Sequence, residues 1–130
     1  MSPAEVVRAP DVRAFSLISS AGRAAIGLGL LTAPEPALRA LGFSGTTSAT
    51  VTVGRIAGVR DLVLGLVTLA ALADPDRLRL ATLANAAADA GDAVAFAFAM
   101  GSDERTAGSR GIAAALPAAL AGVWVAWRLS

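Results

Sequence analysis

The chain has 130 residues, of which 55% are hydrophobic and 16% charged, with a formal net charge of +1. An average soluble domain is about 25% charged and roughly 45–50% apolar, so disorder is excluded and a single apolar domain over residues 1–130 is expected. The sequence has no Cys and no His. That removes disulfides, thiol chemistry, Ser-His triads and the usual zinc ligands. No metal or other cofactor is expected, and the near-neutral charge balance argues against a nucleic-acid partner.

The first residues, Ser2-Pro3-Ala4-Glu5, have the spacing of a capping box, and Val6 and Val7 after them are expected to lie on a membrane surface. Four apolar stretches follow, each close to the ~20 residues that cross a bilayer: about 14–33, 49–73, 78–100 and 111–127. Arg23 interrupts the first, which argues against a cleaved signal peptide. Pro34 and Pro36 end it, because proline lacks the N–H donor and clashes with the preceding turn. Residues 35–41 are expected to form an interfacial helix, with Leu38, Leu41 and Phe43 toward lipid and Gly42 as its stop. Asp74-Pro75 reads as an N-cap and first helical position. Gly101-Ser102 closes the third stretch, Pro117 sits inside the fourth, and Trp124 and Trp127 fall where an interfacial aromatic belt would place them.

These features predict an all-α fold, a four-helix transmembrane bundle with short connectors. All eleven basic residues are Arg. Arg8, Arg13, Arg77, Arg79 and Arg128 share one side, and Arg39, Arg105 and Arg110 the other, which favours a multi-pass cell-membrane protein with both termini cytoplasmic. The competing expectation is a soluble Ala-rich helical bundle. Against it, stretches such as 62–72 and 112–127 lack a polar outer face.

Several polar residues interrupt the apolar stretches: Arg23, Arg55, Arg60, Asp61, Asn85, Asp89 and Asp92. A central Arg or Asp costs about 2.5–3.5 kcal/mol on insertion scales, so such groups are expected to face inward and pair. Asn85, Asp89 and Asp92 fall on one helical face, as do Ser16, Ser19, Ser20, Arg23 and Gly27, and Gly54, Gly58, Asp61 and Gly65. Two further small-residue stripes, Ala87-Gly91-Ala95-Ala99 and Ala114-Ala118-Gly122-Ala126, are expected to pack helix on helix. Arg23 is expected to pair with Asp89 or Asp92, and Arg60 or Arg55 to complete a network with Asp61. Arg55 and Arg79 are close enough to helix ends to snorkel.

The runs GLGLLTAPEPALRALGF (27–43) and GRIAGVRDLVLGLVTLAAL (54–72) carry Ala33-Pro34-Glu35 and an Arg-x-x-Gly-x-Arg-Asp pattern at Arg55, Gly58, Arg60 and Asp61. In these the chain resembles an uncharacterised family of small four-helix bacterial integral membrane proteins of actinobacterial type, distantly similar to DoxX-like proteins. The resemblance implies four helices and no assigned activity.

Three functions compete. The first is a site for a small hydrophobic or anionic ligand or a lipid, at Arg23, Arg55, Arg60, Asp61, Asn85, Asp89 and Asp92. Its enzymatic form would use Asp61, Asp89 or Asp92 as acid or base and an Arg to stabilise an oxyanion. The second is a proton or ion pathway. The third is an accessory subunit, docking as a homo-oligomer or in a larger membrane complex through its small-residue stripes. In all three the bilayer is a partner, and the buried charges are either a site or salt bridges that fix helix register.

Overall fold

A computed structural model describes residues 2–130, and over them the chain is helical, without strands. Six helices follow one another: α1 (Pro3–Arg8), α2 (Pro10–Thr32), α3 (Pro34–Ala40), α4 (Ser48–Ala71), α5 (Pro75–Ala99) and α6 (Arg105–Arg128). The four long helices have 23 to 25 residues, about 35–37 Å of helix at 1.5 Å per residue.

The boundaries follow local chemistry. Proline opens α1, α2, α3 and α5, where its missing N–H has no helical partner to lose. The Thr47 hydroxyl caps α4 by accepting from the Thr50 N–H at 3.2 Å, and the Asp74 carboxylate caps α5 by accepting from the Arg77 N–H at 3.1 Å. Beyond α3, Gly42 takes a φ of +100° and its N–H and that of Phe43 return to the carbonyls of Arg39 and Leu38. In α1 the Glu5 carboxylate accepts from the Ser2 backbone N–H at 2.6 Å and from its hydroxyl, which holds that carboxyl below the usual range.

Several boundaries and faces differ from the sequence expectation. The first long helix begins at Pro10 rather than near 14, and the last at Arg105 rather than 111, because polar residues there still fit a helix end. Pro117 does not interrupt α6. Val6 and Val7 do not lie on a surface. They are buried with Val12, Ala71, Leu78, Val125 and Leu129 in a cluster that closes one end of the bundle. Leu38 is also buried, against Gly54 of α4, rather than dipping outward. On α5 the stripe Ala87, Gly91 and Ala95 faces out, and the buried face is Ala81, Thr82, Asn85, Ala86 and Asp89.

The long helices associate as two pairs, α2 along α4 and α5 along α6, with sparser contact between pairs through α4 and α5. Glycine sets the closeness of the first pair. A Cβ on Gly27 would stand 2.5 Å from the Leu62 nitrogen, one on Gly58 2.9 Å from the Gly27 carbonyl oxygen, and one on Gly65 2.7 Å from the Ser20 carbonyl oxygen. Backbones that touch in this way leave no room for large side chains between them.

Large apolar side chains therefore go outward. Among the described residues twenty large hydrophobics are exposed, Ile18, Val53, Leu80, Phe98, Leu120 and Trp127 among them, against eight buried. The accessible surface is 7271 Å², where a soluble monomer of this mass has about 6,300 Å². By length and composition α2 and α6 could each cross a membrane, and only 22% and 28% of those stretches is buried within the chain. Helices α4 and α5 are as long, but the first carries Arg55, Arg60 and Asp61 and the second Asp89 and Asp92.

Candidate functional site

The seam between the two helix pairs is where the charged residues meet. Helical periodicity turns Arg23 of α2, Asp61 of α4 and Asp89 of α5 to a common axis. Their side chains are 10%, 13% and 11% exposed. Arg23 spans the seam: one terminal nitrogen donates to Asp61 Oδ1 at 2.8 Å and the other to Asp89 Oδ1. Arg60 forms a second crossing by donating to both oxygens of Asp92, at 2.7 Å each, a bidentate fork. Its Nε and one terminal nitrogen also reach back to Asp61 Oδ1, at 3.1 and 3.0 Å.

Asp61 Oδ1 is therefore the hub, accepting from Arg23 and Arg60 together. Arg60 and Asp92 are 37% and 29% exposed, so the network runs from a sheltered inner trio to an outer pair. It contains three carboxylates and two guanidiniums, each carboxylate meeting at least one guanidinium, with one formal negative charge in excess.

Asn85 lies one turn before Asp89, buried at the same seam. Its amide nitrogen donates to the Thr68 hydroxyl at 2.7 Å and to the Ala81 carbonyl at 2.9 Å. Thr68 donates in turn to the Leu64 carbonyl, so its oxygen is left to accept and the orientation of the amide is fixed. Asn85 Oδ1 is the one buried side-chain polar atom without a partner among the described residues. Asn85 and Asp89 line a cavity of about 10 Å³ with Ser16, Ser19, Thr68 and Thr82, the size that one water fills.

Of the residues singled out in the sequence, Arg23, Arg60, Asp61, Asp89 and Asp92 are joined in one network, with Asn85 beside it. Arg55 is apart, exposed on the outer face of α4. Thr68 was not singled out, although it continues the stripe Gly54-Gly58-Asp61-Gly65 by one more turn. Three or more His, Cys, Asp or Glu side chains that could hold a metal ion do not come together among the described residues. Comparison with family models, with curated proteins and with solved structures finds no match to this chain.

Proposed function

We propose that the chain is an integral membrane protein that crosses the bilayer four times, through α2, α4, α5 and α6, and binds a small polar ligand at the Arg/Asp seam between its two helix pairs. One observation carries this reading: polarity is inverted, with large apolar side chains outside and charged ones converging inside. An outer surface this rich in Leu, Ile, Val and Trp would aggregate in water but is at home in lipid. Of the charges that weaken α4 and α5 as isolated spans, Asp61, Asp89 and Asp92 are paired with Arg23 and Arg60 after assembly, and Arg55 stands on the outer face of α4. The formal excess of one carboxylate over the two guanidiniums favours a proton-donating or positively charged group over an anion at this seam.

The test is extraction and retention. The protein is expected to stay with membranes through alkaline washing and to need detergent for release. Native mass spectrometry in mild detergent should then show a retained small molecule that Asp89→Asn, folded by circular dichroism, loses. Recovery in the soluble fraction refutes the membrane reading. A bare wild-type chain refutes the ligand. A second reading, an accessory subunit, is favoured by the outward stripe of α5, where a Cβ on Gly91 would meet nothing within 4 Å. Co-purification of a second membrane protein that Gly91→Leu releases would support it.

A further inference from the structure

A cavity of about 220 Å³ lies at the end of the bundle that carries both termini, between α1, the start of α2 and the link from α4 to α5. Ala4, Val7, Leu72, Ala73 and Pro75 make it largely apolar, and the two remaining lining residues are Arg8 and Arg13, with no acidic residue among them.

The carboxylates of this end are engaged elsewhere. Asp11 pairs with Arg128, Asp74 pairs with Arg77 and caps α5, and Glu5, one turn before Arg8, is hydrogen-bonded by Ser2 and acts on Arg8 only as a nearby charge, without an ion pair. Asp76 is exposed and does not line the cavity. Two arginines without an ion pair among the described residues, over a largely apolar lining, suit one chemistry, a phosphate-like anion joined to an apolar stem. The position at the helix ends is the depth at which lipid headgroups lie, and the volume is below the roughly 300–1,000 Å³ of sites for drug-sized ligands.

We infer that this cavity binds the phosphate headgroup of an anionic membrane lipid, clamped between Arg8 and Arg13, with the glycerol end against Val7 and Leu72. The inference rests on the membrane reading above. It concerns the end of the bundle and is independent of the Arg/Asp seam.

The experiment compares wild type with Arg8→Gln/Arg13→Gln, both purified from membranes in mild detergent and offered phosphatidylglycerol or phosphatidylcholine. Lipid adducts are counted by native mass spectrometry. Both arginines are exposed and make no ion pair among the described residues, so the double variant is expected to keep the fold. Wild type is expected to prefer phosphatidylglycerol, and the double variant to lose about 30-fold in that affinity, roughly fivefold for each arginine. Arg55→Gln, at the opposite end of α4, keeps the preference. Equal retention by wild type and double variant overturns the site. Displacement of phosphatidylglycerol by excess inorganic phosphate, with no preference over phosphatidylcholine, overturns the lipid source in favour of a soluble anion. Equal recovery of both proteins from membranes separates failure of this site from failure of the membrane reading, and recovery of wild type without detergent overturns both.

Discussion

Asp61 holds more of the seam than its neighbours because one of its oxygens serves two guanidiniums. Removing it takes a charge-assisted hydrogen bond from Arg23 and from Arg60 at once, while each keeps a carboxylate in Asp89 or Asp92, and hydrogen bonds to charged groups are worth about 1.5–3 kcal/mol each. Asp92 faces only Arg60, and both are partly exposed, so its loss is worth about 1 kcal/mol or less. Asp61→Ala is therefore expected to lower the midpoint of thermal unfolding in detergent well beyond Asp92→Ala. Equal shifts would show that the network is not organised around Asp61. Spacing alone placed Arg23, Asp61, Asp89 and Asp92 on inward faces. It did not reveal the hub, since adjacent residues on a helix diverge by about 100° and only the length of the Arg60 side chain brings it back to Asp61. Asn85 Oδ1 was equally hidden, because a missing partner is a property of the assembled seam.

Among the elements, the α2–α4 pair is brought close by glycine, and the glycines of α2 are not equivalent. Gly27 meets the Leu62 backbone, whereas a Cβ on Gly22 meets nothing within 4 Å. Gly27→Ala must push two backbones apart and is expected to destabilise by about 1–3 kcal/mol. Gly22→Ala only improves helix propensity, a gain of about 0.5–1 kcal/mol. Thermal unfolding followed by circular dichroism distinguishes them, and the same effect for both would mean that the close approach is absent. The long helices were legible from their apolar runs, and the start of α5 from Asp74-Pro75, whereas Pro10 as the start of α2 was not. The small-residue stripe of α5 misled, because Ala87, Gly91 and Ala95 repeat every four residues as a packing face does. The polar stripe on the opposite face of the helix, Asn85 and Asp89, took the buried side instead. The burial of α1 was not legible: Val6 and Val7 have the same pattern whether they meet lipid or the far end of the chain.

At the scale of the molecule, two helix pairs meet along a polar seam whose internal cavity holds no more than about one water. A ligand larger than that enters only if the pairs part. Thr68 and Asn85 face each other across the seam within hydrogen-bonding distance, and the chain has no cysteine of its own. On the proposed function, a Thr68→Cys/Asn85→Cys pair joined by a short, cleavable thiol crosslinker is thus expected to block uptake of a seam ligand until the bridge is cleaved. Uptake that is equal with and without the bridge would show that the pairs do not separate. The fold class was readable from composition. The division into pairs was not, because it depends on which glycine faces meet, and a single sequence does not specify the partner of a face.

The cluster that closes one end of the bundle joins Val6 and Val7 to Val125 and Leu129, and Asp11 to Arg128 across 117 positions of sequence. During synthesis α1 must therefore wait for α6. Until α6 has been made, α1 has only part of its docking surface, and the end it seals stays open. Sealing of that end is thus tied to the arrival of α6, and removal of residues 127–130 would take away both Leu129 and the Arg128 anchor for Asp11.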